Sequence, residues 1–168
     1  MPIILARIDD RLIHGQIVQG WLKNISVEKI LVASDMAAKD LLSQTLMGMA
    51  LPDNVALEVK TVDAAAASII AGNYDKMKTM LLVSSPHDIL RIIEKGADIK
   101  SVNIGGMHFT PGKKQLACNI CVNCEDIVDL HSIYLKGIEI EGRVLPLDER
   151  TNIIPIVENE YCKLEGYK

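Results

Sequence analysis

No apolar run in this 168-residue chain approaches the roughly 20 residues that cross a bilayer as a helix. No long cluster of Lys and Arg occurs and the net charge is -4, which argues against nucleic acid as the main partner, because binding a phosphate backbone takes grouped cations. The opening Met1-Pro2-Ile3-Ile4-Leu5-Ala6-Arg7 lacks the charged start of a signal peptide and soon reaches a charged, loop-like segment, so a cytoplasmic location is expected. Internal repeats, low-complexity stretches and linkers are absent. So is a dinucleotide fingerprint. The nearest approach to a P-loop, Gly106 to Lys114, has five residues between its glycines where four are required. It also has Lys114 after Lys113, where Ser or Thr is needed. Neither ATP nor NAD is expected, and no cofactor is.

Cysteine is scarce, but three of the four, Cys118, Cys121 and Cys124, spell Cys-x-x-Cys-x-x-Cys, part of an iron–sulfur pattern. Gln115 to Val122 reads as one strand, on which Cys118 and Cys121 point to opposite faces. Running straight through to Cys124 would separate the end thiols by about 20 Å, at roughly 3.3 Å per residue. A cluster would need a loop there, with Cys162 or His108 as a fourth ligand. The expectation is no metal, and buried thiols in a reducing compartment.

What is present is apolar and regularly punctuated. Hydrophobic residues make up 49% of the chain, enough for a core and a single domain over residues 1–168. Ile3 to Ile8 reads as a strand, and Ile17, Val18, Trp21, Leu22 and Ile25 as one helical stripe. Lys29 to Ala33 is a second strand; Ser34 or Asp35 can cap a helix from about Met36 to Ala50. Pro52-Asp53-Asn54 breaks the chain before a third strand, Ala56 to Val62, and an alanine-rich helix that Asp63 would cap. Met80 to Val83 is a fourth strand. Ser85-Pro86 supplies a cap and first-turn proline for a helix ending at Gly96, and Val102 to Ile104 is a fifth strand. A helix from Glu125 to Lys136 and a strand from Ile138 to Leu145 follow, and the tail from Pro146 has little periodicity. Strands alternating with helices, each strand continuously apolar, predict a three-layer, doubly wound α/β fold with a mostly parallel sheet covered on both faces.

Ligands in such folds sit beyond the carboxyl ends of the strands, near the point where strand order reverses. Three loops qualify: Asp9 to Gly15, Ser84 to His87, and Gly105 to Lys114. The first packs Asp9, Asp10, Arg11, His14 and Gly15 ahead of a helix. A neutral imidazole titrating near pH 6.5 is a competent nucleophile toward phosphorus. Arg11 offers a planar two-pronged fork for the oxygens, and the following helix offers free N–H groups. Gly15 removes a side chain from the approach. A carboxylate such as Asp10 could hold one ring nitrogen protonated and leave the other to attack, or Asp9 or Asp10 could simply cap the turn. Ser84 and Ser85 are further candidates for phosphate oxygens, Ser85 equally as a helix cap. Asp10, Gly15, Ser84 and Ser85 are thus the candidate phosphate-binding residues around His14 and Arg11. His108 reads as structural or partner-facing. Lys113 and Lys114 read as a docking rim or a solvated loop, and His87 and His131 as helix-surface residues.

The segment Arg7-Ile8-Asp9-Asp10-Arg11-Leu12-Ile13-His14-Gly15-Gln16 closely resembles the N-terminal signature of the IIB components of the mannose/fructose/sorbose family of bacterial phosphotransferase systems. Leu81-Leu82-Val83, the Pro86 helix with Asp88-Ile89-Leu90, Val102-Asn103-Ile104-Gly105-Gly106-Met107 and Gly112-Lys113-Lys114-Gln115 resemble later segments in the same order. The resemblance implies a phosphotransferase carrying phosphate on His14, at Nδ1. It would take phosphate from a phosphorylated IIA protein and give it to a sugar held by membrane subunits IIC and IID. Arg11 matches the family's phosphate-binding arginine, and a homodimer is reasonable. Arg7 falls in the same motif, with a packing or partner-facing role equally open. A regulatory module that senses phosphorylation state on the same fold, and a small metalloprotein, are the rival readings.

Overall fold

The structure is a computed structural model that describes residues 3–166. β1 (Ile3–Asp9) leads through the His14 loop into a π-helical segment, Gln16–Trp21, and α1 (Leu22–Asn24). β2 (Lys29–Ala33), a 3-10 turn (Ala37–Lys39) and α2 (Leu41–Ala50) follow. Next come β3 (Ala56–Lys60), α3 (Val62–Ile70), β4 (Thr79–Val83), α4 (Pro86–Glu94) and β5 (Ser101–Gly106). A hairpin of β6 (Lys114–Ala117) and β7 (Ile120–Val122) precedes α5 (Cys124–Leu135), β8 (Glu139–Gly142), β9 (Thr151–Asn152) and α6 (Ile154–Glu165).

The main sheet runs β3-β2-β4-β1-β5-β8-β9, all parallel except β9, which pairs antiparallel with β8. From β1 the chain winds to one side, returns through β4, then crosses to β5 on the other side. The crevice beyond β1, β4 and β5 is therefore the switch point, where neighbouring loops part and leave room for a ligand.

Alternation along the strands sorts the core into two layers. Ala6, Ile8, Leu31, Ala33, Leu81, Val83, Val102 and Ile104 meet α3, α4, α5 and α6. Ile30, Val32, Met80 and Leu82 point the other way, toward Ile17, Trp21 and Met47. The expected three-layer α/β architecture is what forms, because strands apolar on both faces need cover on both.

Several local expectations give way to tertiary partners. Asp40, not Ser34 or Asp35, caps α2. Asp35 instead accepts the Val62 N–H and pairs with Arg91. Thr61 caps α3 in place of Asp63, whose carboxylate also meets Arg91. The predicted strand over 115–122 is a hairpin, turned at Cys118-Asn119 with Asn119 in the left-handed region (φ 59°), a conformation asparagine tolerates better than most side chains. The aperiodic tail yields a strand and a helix, and Ile153 and Val157 are buried against the core shared with α5.

Candidate functional site

β1 delivers two charged side chains to one face of the sheet, since residues two apart on a strand point the same way. Arg7 and Asp9 are both fully buried, with Arg7 NH2 2.9 Å from Asp9 Oδ2. The loop then bends back on itself: the Leu12 N–H bonds the Asp9 carbonyl and Leu12 takes a positive φ of 54°. That bend brings the His14 ring over the strand end, with Nε2 2.9 Å from the same Asp9 Oδ2.

Burial alone would raise the Asp9 carboxyl, but the His14 hydrogen bond and the Arg7 charge outweigh it and hold it below its ordinary value. An ionised carboxylate only accepts, so the ring nitrogen facing it must carry the proton. The neutral ring therefore keeps its lone pair on Nδ1, where the Gln16 N–H approaches at 3.4 Å. The His14 side chain is 14% exposed, neither entombed nor free.

Arg11 stands outside this buried pair. Its backbone N–H bonds Asp9 Oδ1 at 3.3 Å, and its guanidinium rests on Gln16 Oε1 at 3.1 Å in solvent. Arg11, Asp10 and Ser84 line one open groove with Ser34, Met36 and Leu46. A Cβ built on Gly15 would meet no atom within 4 Å, and its φ of -53° suits any residue, so the fold itself does not require glycine there.

Arg7 is held from the opposite side too. Its NH1 bonds Asn103 Oδ1 at 2.5 Å and the Arg143 carbonyl at 3.0 Å, and its guanidinium lies 5.1 Å from the Trp21 ring centre. The β1–β5 pairing slips at this point, from Ile8 opposite Ile104 to Asp9 opposite Gly106. The skipped residue is Gly105, where a Cβ would fall 1.7 Å from the guanidinium carbon. The bulge and the missing side chain together make the socket.

A model of the "PTS system sorbose subfamily IIB component" family matches residues 3–167. This chain belongs to that family. The fructose-specific EIIB component of Bacillus subtilis is 38% identical to it, covering 95% of this chain and 98% of the relative. The sorbose-specific EIIB component of Klebsiella pneumoniae is 34% identical, covering 97% and 100%. The mannose-specific EIIAB component of Escherichia coli is 38% identical over 94% of this chain, which spans 49% of that longer protein. The solved IIBSor domain of the Klebsiella pneumoniae sorbose permease superposes with a TM-score of 0.88 at 33% identity, over 95% of this chain and 98% of that one.

As an EIIB component of a sugar phosphotransferase system, the chain has its candidate residues in a definite arrangement. His14, Arg11 and Gly15 share the β1 loop. Asp10, expected to steady His14, faces away from it: both of its oxygens lie 2.6 Å from His108, one from the backbone N and one from ring Nδ1. Asp9 takes the place at His14 because its strand position aims it at the ring. Ser84 donates to Asp88 Oδ2 at 2.7 Å, and Ser85 caps α4 by accepting the Asp88 N–H.

Lys113 pairs with Asp126 and Lys114 with Glu160, tying the hairpin to α5 and α6. His87 is a surface residue near Asp129, whereas His131 stacks on Tyr161 at 3.8 Å under α6. The cysteines correct the expectation of burial: Cys118, Cys124 and Cys162 are exposed and Cys121 is partly so, because the hairpin turn carries Cys118 outward. No group of three or more His, Cys, Asp or Glu suited to a metal occurs among the described residues, and no helix there is long and apolar enough to cross a membrane.

The sequence reading missed the Arg7–Asp9–His14 chain as a unit. The signal was available: Arg7 and Asp9 two apart in an otherwise apolar strand must share a face, and two buried charges there need each other.

Proposed function

We propose that this EIIB component is a single-domain phosphocarrier that accepts a phosphoryl group on His14 from a phosphorylated IIA protein. It then yields the group to a sugar held by membrane subunits IIC and IID, working in the cytoplasm at the membrane transporter. The observation that carries the reading is the hydrogen bond that His14 Nε2 donates to the ionised Asp9 carboxylate, which leaves a lone pair on Nδ1 of a partly exposed ring.

In the first transfer the Nδ1 lone pair attacks phosphorus. The new N–P bond forms as the donor's N–P bond breaks, and the donor imidazole leaves with that electron pair. The Nε2 proton stays shared with Asp9, so the positive charge that develops on the ring has a carboxylate beside it. In the second transfer a sugar hydroxyl oxygen attacks the same phosphorus as the Nδ1–P bond breaks, His14 leaves with its lone pair restored, and the hydroxyl proton is released to solvent. Little bond-making chemistry falls to the protein, so rate comes from positioning and charge compensation.

Arg11 is the group free to move onto the phosphoryl oxygens, because its present bond is a solvent-exposed one to a neutral glutamine, which water replaces at little cost. Ser84 lines the same groove, and the open space at Gly15 admits the group.

The test is His14→Ala incubated with phosphorylated IIA carrying labelled phosphate. No label should be retained while the circular dichroism stays that of the parent; label at the parental level overturns the proposal.

A further inference from the structure

Arg7, Asn103 and Glu141 form a row across three adjacent strands. Arg7 pairs directly with Asn103 between β1 and β5, and Asn103 pairs directly with Glu141 between β5 and β8, all on the face that carries Trp21. Neighbouring strands lie about 4.8 Å apart, so a guanidinium and a carboxylate two strands apart are within mutual reach of their side chains. Asn103 fills the space between them. Its Oδ1 accepts from Arg7 NH1 at 2.5 Å, while its Nδ2 donates to Glu141 Oε1 at 3.0 Å and to the Arg143 carbonyl at 3.1 Å. Asn103 is 2% exposed and Glu141 7%, so solvent screens the pair far less than it would at the surface.

The guanidinium thus stands between two carboxylates that compete for it: Asp9, which it bonds, and Glu141, which it does not. The outcome matters to His14, because Asp9 Oδ2 is shared by Arg7 and the ring. With Arg7 in place, part of the Asp9 charge is neutralised before it reaches the ring. Were Arg7 drawn to Glu141, Asp9 would face the ring alone and favour the imidazolium, which has no lone pair to attack with.

We propose that Asn103 is a positioning residue for phosphoryl transfer, an uncharged spacer that keeps Arg7 from Glu141 and so commits it to Asp9. The inference rests on His14 being the carrier, as proposed above. The other charged groups are accounted for. Around Arg7 they are Asp9, Glu141, Arg11 and Arg143, the last of which pairs through NH2 with Glu141 Oε1 at 3.2 Å. Around His14 they are Asp9 and Arg11, while Asp10 is occupied by His108.

The experiment compares the parent chain, Asn103→Ala and the double variant Asn103→Ala/Glu141→Gln. The midpoint of the His14 ring titration is read by NMR, and transfer from labelled phospho-IIA by rate. Asn103→Ala should raise the midpoint by about one unit, the low end of what a close opposite charge does. It should also slow transfer near neutral pH by up to about tenfold, the most that a one-unit rise can take from the neutral form. Removing the competing carboxylate in the double variant should return both toward the parent, a rescue that loss of packing would not give. An unmoved midpoint in Asn103→Ala, or a double variant no better than the single, overturns the spacer role. Far-ultraviolet circular dichroism reports whether each variant is folded, because Trp21 emission would follow the displaced Arg7 guanidinium that packs on it. If the alanine variant is not, Asn103→Ser gives the same comparison with a smaller cavity. The ring titration needs no donor protein, so it judges the spacer even if the parent itself takes no phosphate on His14.

Discussion

One buried oxygen, Asp9 Oδ2, accepts from both an arginine and a histidine. The His14 hydrogen bond and the Arg7 charge together keep the carboxylate ionised in an apolar strand, and the ionised carboxylate in turn sets the histidine tautomer. Arg11 is the exposed cation of the loop, and in the proposed function its value lies in shape. Arg11→Lys keeps the charge but replaces a planar fork with a point charge, so it cannot grip two phosphoryl oxygens at fixed angles. Transfer from labelled phospho-IIA should slow by about tenfold or more, as for a lost charge-assisted hydrogen bond of roughly 1.5–3 kcal/mol. A parental rate would show that charge alone suffices.

At the scale of elements, the site depends on small departures from regularity. Gly105 is left out of the β1–β5 register, and its missing Cβ is where the Arg7 guanidinium lies. Gly105→Ala must expel that group from a socket walled by Trp21 and Asn103, leaving Asp9 buried without its cation. Breaking a buried pair costs about 3 kcal/mol or more, which the urea midpoint measures; an unshifted midpoint would mean that the strand simply widens. The first helical segment is π-wound over Gln16–Trp21, next to the candidate site loop, and such widened turns tend to occur at functional sites. α4 follows the ordinary rule, with Ser85 as cap and Pro86 in the first turn. How far each element could be read in advance depended on where its cap comes from. The α4 cap lies in the adjoining residues. Asp35 and Asp63 look like caps by position, but Arg91, far along the chain, claims both. α6 hides from periodicity because its first turn follows an isoleucine without a capping side chain.

For the molecule as a whole, the buried ion pair ties stability to acidity. The Asp9 carboxyl is held below its ordinary value in the fold, and in the unfolded chain it returns to that value. The native state therefore binds the proton less readily. Its contribution is fully present above the ordinary carboxylate range, near pH 4, and is lost as pH falls from there through the depressed folded value. Urea midpoints taken from pH 7 downward should fall below about pH 4, and Asp9→Asn, weaker at neutral pH for lack of the pair, should show a shallower fall. Parallel curves for the two proteins would place the acid sensitivity elsewhere.

The alternation of apolar strands with helices determined, from sequence alone, the layered parallel sheet, and the β1 motif pointed to the loop that carries His14. Both are local in origin: periodicity is set by neighbouring residues, and a strand end followed by a helix makes a loop wherever the chain goes. Only the tertiary structure decided that Asp9 rather than Asp10 meets the imidazole, that Arg7 belongs to the site, and that Asn103 and Glu141 stand behind it. Those choices follow from which strands become neighbours and in what register, and from burial that leaves a charge no partner except the one packed against it.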